Sequence, residues 1–305
     1  MNYGLPYKGS KNSIAAKIID FLPPAENFYD LFAGGCAITH AALLSGKYEH
    51  IYFNDINPGI TQLFVDAIHG KYHNEKRWIS REDFFRLKEQ EPYIKWCWSF
   101  SNNGRDYLYS KEIEPLKKSY HYAIVFDDWS LLKEIYPNEW EDVYNAIHNI
   151  KNQNKRRLKF KAAIQDAIKK NESKHLTEQG DGGIFRLVGE ERSQSLEALQ
   201  GLQSLERLER LERLERLERL ERLERLERLE GSYEKVCIKP NSVVYCDIPY
   251  RDTNVYDKDN PFDYEKFYSW AERQTELVVI SEYKMPGEID VEDYQRENKR
   301  GYFAD

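Results

Sequence analysis

The sequence predicts an α/β fold: an open sheet, interrupted by a long and mainly helical insertion and by a helical triplet repeat. Three observations carry this reading. Short apolar runs end in a carboxylate or a glycine turn, at Asn27–Asp30, Ile51–Asp55 and Val243–Asp247. Between Lys71 and Glu190 that pattern gives way to interleaved aromatic and basic residues. From Leu196 to Leu229 a leucine then recurs at every third position.

The 305 residues hold one sizeable α/β domain plus an insertion. A formal net charge of −7 argues against a histone-like or tail-driven nucleic-acid binder and leaves room for a local basic patch. Cys36, Cys97, Cys237 and Cys246 stand at no metal-ligand spacing, so reduced structural thiols are expected and a metal is not. No signal peptide is read, and no apolar run approaches the length of a membrane span, so a cytoplasmic location is expected.

The first strand, Asn27-Phe28-Tyr29-Asp30, runs through Leu31-Phe32-Ala33 into Gly34-Gly35, with a helix expected over Ile38–Ser45. Adjacent glycines let the backbone approach a ligand closely. The next strand ends at Asn54-Asp55. A glycine turn followed about twenty residues later by an acid on the next strand suits a nucleoside and its ribose hydroxyls. The spacing is not G-x-G-x-x-G, so a dinucleotide is not expected.

In the insertion, Ser101–Asp106 is a loop by composition, bordered by Trp98, Phe100, Tyr107 and Tyr109. It either borders a ligand or is a surface turn pinned into a core. Leu158, Ala162, Ala163 and Ala167, with Ile164 and Ile168, recur at helical spacing within a lysine- and arginine-rich stretch, which predicts a basic amphipathic helix. Lys155, Arg156, Arg157 and Lys159 on it are candidate phosphate contacts, and the alternative is a solvated helix face.

The repeat, mostly perfect Leu-Glu-Arg triplets within 191–231, poses a geometric question. In an α-helix each leucine steps by about 300°, so leucines travel around the circumference. A 3-10 helix would align them on one stripe. Leucine, glutamate and arginine favour the α form, and each Glu–Arg pair at i, i+4 adds roughly 0.2–0.5 kcal/mol. A helix is expected, its type open, and its role is a spacer, a self-association surface or filler.

Beyond the repeat, Val243–Cys246 reads as a buried strand ending in Asp247-Ile248-Pro249-Tyr250. A carboxylate at that lip, a proline-stiffened turn and an aromatic ring make a compact polar pocket, where open α/β sheets bind ligands.

Together Asp30–Gly35, Asn54-Asp55 and Asp247–Tyr250 resemble the Dam-type family of DNA adenine-N6 methyltransferases. Pro6-Tyr7-Lys8-Gly9-Ser10-Lys11 is similar to that family's opening motif, and Val279–Tyr283 to one of its later core strands. The resemblance covers residues 1 to 70 and 232 to 290, roughly, and only loosely the part between. It implies a Rossmann-like methyltransferase sheet, halved into 1–70 and 232–305 by a target-recognition segment at 71–190 and the repeat. It implies methyl transfer from S-adenosyl-L-methionine to adenine N6 in double-stranded DNA. Tyr7, Lys11, Asp30, Phe32, Ala33, Gly34, Gly35 and Asp55 are implied at the cofactor, and Asp247, Ile248, Pro249 and Tyr250 at a flipped base. The family usually has proline where Ile248 stands; isoleucine offers the same main-chain carbonyl and loses loop stiffness. The alternatives are cytosine-N4 methylation, or an inactive methyltransferase fold that binds DNA or assembles through the repeat.

Overall fold

The computed structural model describes residues 2–135, 140–178, 206–250, 262–281 and 300–303. The chain forms two compact units, Met1–His73 with Arg213–Asp305, and Asn74–Glu212. Among the described residues no helix is long and apolar enough to cross a membrane.

The first unit is built on six parallel strands: β1 Ala25–Asp30, β2 Tyr48–Phe53, β3 Leu226–Arg228, β4 Ser242–Asp247, β5 Leu277–Ser281 and β6 Arg300–Phe303. Their order is β3-β2-β1-β4-β5-β6. Because successive side chains alternate, the strands β1, β2, β4 and β5 feed two cores. Phe28, Val243, Tyr245 and Val279 pack with residues of α1 (Ala15–Phe21) and α2 (Ala37–Ser45). Tyr29, Val244, Cys246, Val278 and Ile280 pack with Phe267 and Trp270 of the helix Tyr264–Glu272. The strand order turns back between β1 and β4, and in such sheets the crevice at the carboxyl ends of those two strands is the binding position.

The second unit is helical where it is regular, around a core that includes Tyr120, Ile124, Trp129, Val143, Phe160 and Ile164. The basic helix spans Gln153–Glu178. Its inward face keeps Ile164 from the one read in the sequence, but Phe160 is buried with it, whereas Leu158 is 58% exposed. Two helical residues lie about 200° apart, so burying the Phe160 ring turns Leu158 outward. In the loop region Trp98, Tyr107 and Tyr109 are buried and Phe100 is exposed, with Ser99 bridged to Tyr107.

The repeat is not helical throughout, and the sequence expectation is corrected here. It is α-helical over Glu206–Leu217, makes a 3-10 turn at Leu223–Arg225, and supplies β3. That strand pairs with β2, Leu226 opposite Ile51 and Arg228 opposite Phe53, and the Leu229 N–H continues the ladder to the Phe53 carbonyl at 2.8 Å. The open edge of β2 satisfies the backbone of the last triplets better than one more helical turn. Within the helix Leu208, Leu211, Leu214 and Leu217 are all buried. Their steps spread them over about half the circumference, so the helix is enclosed rather than striped. The boundary between the two units falls inside this helix, after Glu212, so 191–231 is not a segment apart.

Identical triplets make length changes of three residues special. If Leu211–Arg213 is deleted, every position from 208 to 229 is refilled by the same residue type, and the deficit passes upstream. Deleting Leu211 alone puts charged residues at buried leucine positions. We expect the triplet deletion to melt within about 2 °C of the parent, and the single deletion to lose more than about 5 °C, since an unpaired buried charge costs several kcal/mol. Calorimetric melting of both variants checks this.

Candidate functional site at the strand β1–β4 crevice

The N-terminal segment lies against the glycine turn after β1, and the fit leaves no room for side chains there. A Cβ on Gly35 would stand 2.6 Å from the Tyr7 Cβ and 3.1 Å from the Leu5 carbonyl oxygen. A Cβ on Gly4, whose φ is +59°, would stand 2.3 Å from the Gly35 carbonyl oxygen. Leu5 N–H donates to that same carbonyl at 2.6 Å. The segment is also held from two other elements: His40 Nδ1 accepts the Gly4 N–H at 2.9 Å, and Arg213 Nε donates to the Gly4 carbonyl at 2.8 Å. Arg213 also reaches the Tyr3 carbonyl. Burial, with Arg213 nearby, holds His40 down at about 4, so its ring is neutral and free to accept.

The turn itself is tied to the end of β2. Asp55 Oδ2 accepts the Gly34 N–H and Oδ1 the Asn57 N–H, both at 2.8 Å. Burial raises the Asp55 pKa, and these two backbone donors oppose it. Ala33 N–H donates to the Asn54 carbonyl at 2.9 Å. The Tyr7 ring stands over Gly34, its Cε1 3.0 Å from where a Cβ would be.

Asp30 and Phe32 face elsewhere. The buried Asp30 carboxylate accepts the Thr39 N–H at 3.1 Å and hydroxyl at 2.7 Å, and so caps the first turn of α2. Burial raises its pKa to about 7 against those hydrogen bonds. Phe32 packs edge-on to Phe262 and Phe267 in the apolar core.

Asp247, at the C-terminal end of β4, is brought to Lys11 and Tyr250. Lys11 Nζ lies 3.1 Å from Asp247 Oδ1, donates to the Tyr250 hydroxyl, and sits 4.4 Å from the Tyr250 ring centroid. The Tyr250 hydroxyl is also 2.9 Å from Ser281 Oγ on β5. Burial pushes the Asp247 pKa up to about 6, against the opposing pull of Lys11, Tyr250 and Ser281. Burial disfavours the Lys11 charge, yet Asp247 and Tyr250 outweigh it and the pKa is raised. Ile248 is 2% exposed within the apolar core, and the Tyr264 hydroxyl donates to the Pro249 carbonyl at 2.9 Å. Burial of the Ile248 side chain, at the position where a proline ring would have stiffened the turn, and the hydrogen bond to Pro249 anchor it.

In the second unit the four basic residues divide. Arg157 is buried and pairs with Glu209 at 2.7 Å and Glu212 at 3.1 Å, and Arg156 pairs with Asp127. Lys155 and Lys159 are exposed. Sequence reasoning passed over Ser281, His40 and Arg213. Ser281 closes a strand ending at the same lip, a positional signal; nothing local marks the other two.

The pieces fit a sulfonium nucleoside: a glycine turn into which no side chain fits, an acid fixed to it by hydrogen bonds, and a half-buried carboxylate across the switch point. A family model described as D12 class N6 adenine-specific DNA methyltransferase matches residues 7–178, more than half of the chain. No curated protein matches the chain.

The tight packing at the turn has a direct consequence. Gly35→Ala must push the Tyr7 backbone away, and we expect a loss of about 1–3 kcal/mol of stability. Equilibrium unfolding in urea checks this.

Proposed function

The chain belongs to the D12 class of N6 adenine-specific DNA methyltransferases, and from that premise we propose that Asp247 and Tyr250 receive an adenine flipped out of the duplex. Methyltransferases of this family use S-adenosylmethionine, and DNA is their substrate. The family match ends at residue 178, so the catalytic assignment rests on one structural observation. Asp247 lies at the switch point of the sheet, beside the strand that carries the glycine turn, and is paired with Lys11 of the segment that packs on that turn.

S-adenosylmethionine, when bound, supplies the methyl group on a positive sulfur that is a ready leaving group. Tyr7, Lys11, Ala33, Gly34, Gly35 and Asp55 are the residues that border its place. The chain's own work is positioning and electrostatics. The adenine exocyclic nitrogen is a poor nucleophile because its lone pair is spread into the ring. An ionised Asp247 accepts one of its N–H bonds and the Ile248 carbonyl the other, which returns electron density to nitrogen and aims it. Tyr250 stacks on the base. Lys11 stabilises the carboxylate charge that this arrangement needs.

Membership of an adenine-N6 family does not favour cytosine-N4 transfer or an inactive fold. Asp247→Ala is expected to abolish methyl transfer to unmethylated DNA while cofactor binding, read by calorimetry, largely persists. In the parent, the reactive form is the ionised carboxylate, present above the Asp247 pKa of about 6 and lost below it. The rate should therefore fall as pH drops through about 6, well above the ordinary carboxylate range near 4. Near-parental turnover in Asp247→Ala would overturn the assignment.

For the duplex, we propose phosphate contact by Lys155 and Lys159, one helical turn apart and exposed, since Arg156 and Arg157 are engaged in ion pairs. Replacing both lysines with alanine should weaken binding to all sequences alike. It should also reduce the salt slope by roughly 0.9 per lost contact. Unchanged affinity and slope in fluorescence anisotropy would leave a solvated helix face.

A further inference from the structure

We infer that Ser281, at the C-terminal end of β5, is a positioning residue for methyl transfer: with Lys11 it fixes the Tyr250 ring and the Asp247 carboxylate as one hydrogen-bonded set. The inference rests on the reading of Asp247 and Tyr250 as the base-receiving pair.

Register places the residue there. β5 runs parallel to β4 with Ser281 directly opposite Asp247, so both leave the sheet at the same lip. Ser281 is 5% exposed, and its Oγ lies 2.9 Å from the Tyr250 hydroxyl. Lys11 sets the direction of its own hydrogen bond. An ammonium has donors and no acceptor, so toward Tyr250 it donates, and the tyrosine oxygen accepts. The Tyr250 hydroxyl and Ser281 Oγ share a hydrogen bond in which either oxygen can donate. Tyr250 and Ser281 both favour the charged form of Asp247, so the set converges on that carboxylate. Lys11 closes the circuit at 3.1 Å from Asp247 Oδ1.

The mechanical effect is on Tyr250. A phenol ring hinged at Cβ and held at its hydroxyl by two groups keeps one freedom, rotation about its own long axis. The place of the ring on which a base stacks is thereby fixed, while Lys11 also holds the carboxylate that receives the base's amine. Positioning errors of this kind reduce the chemical step more than binding. Other charged or titratable groups around Asp247 are Lys11 from the N-terminal segment, Asp30 from β1, Tyr245 and Cys246 from β4 itself, and Tyr250. Of these, Tyr250 is itself a partner of Ser281.

The test uses the full chain, unmethylated DNA and rates followed across pH. Ser281→Ala should lower kcat by about tenfold, the scale of one lost hydrogen bond, with KM for cofactor and DNA within about twofold. Its acid limb should move to higher pH, because Asp247 loses a contact that favours its charge. Thr and Val at this position are close in shape and differ by the hydroxyl, so S281T should outpace S281V by a similar factor even if the alanine variant folds poorly. If Ser281 works through the ring hydroxyl, adding S281A to Y250F should cost little more than Y250F alone. Carbon-13 titration of the Asp247 carboxyl reads the same contact without turnover, and its midpoint should rise in S281A. A parental kcat and acid limb in S281A, equal rates for S281T and S281V, or losses that multiply in the double variant would each overturn the inference. Absence of adenine methylation by the parent would instead overturn the functional reading, while the carboxyl titration would still decide whether Ser281 holds the set.

Discussion

The parallel pairing of β1 with β4 is the constraint from which the site follows. Asn27 to Asp30 lie against Ser242 to Tyr245, and the Leu31 N–H extends the ladder to the Tyr245 carbonyl at 3.1 Å. That register sets the glycine turn and Asp247 at neighbouring strand ends, although the whole second unit separates them in the chain. The excursion is tolerated because closing a longer loop costs little: each doubling of its length adds about 0.6 kcal/mol. Two compact units therefore share one chain without either interrupting the other's core.

Near this crevice Asp30 is buried and Asp247 half-buried, and their surroundings give them different work. Asp30 meets the neutral donors of Thr39, so burial dominates and its pKa reaches about 7. Its folded value lies above its unfolded one, so this group's contribution to stability falls as pH rises from about 4 through 7. Asp247 meets the Lys11 ammonium, which opposes burial and keeps it mostly ionised at neutral pH. One carboxylate is spent on holding a helix, and the other remains charged at the lip where a polar ligand arrives.

The triplet repeat shows how little local propensity decides once tertiary partners are available. Leu-Glu-Arg favours an α-helix by composition, and takes it where its leucines are enclosed. A few triplets later the same residues form the edge strand, because β2 presents unpaired backbone groups. Its arginines also do more than solvate the chain. Arg210 donates to the carbonyls of Cys97 and Ser99 within the second unit, and Arg213 holds Tyr3 and Gly4 within the first. Guanidinium groups suit this use, since each offers several donors in a fixed plane.

The sequence by itself determined the strands that lead into Asp30, Asp55 and Asp247, and the glycine turn. Each is written in adjacent residues, where apolar runs, glycines and acids report on the local backbone directly. Tertiary structure alone decided that Asp30 caps a helix, that Arg157 is buried in ion pairs with Glu209 and Glu212, and that Leu226–Arg228 is a strand. It alone placed Ser281 beside Tyr250, and Arg213 on the N-terminal segment. Those outcomes depend on partners distant in the chain, and an identical triplet carries no information about which partner it will meet.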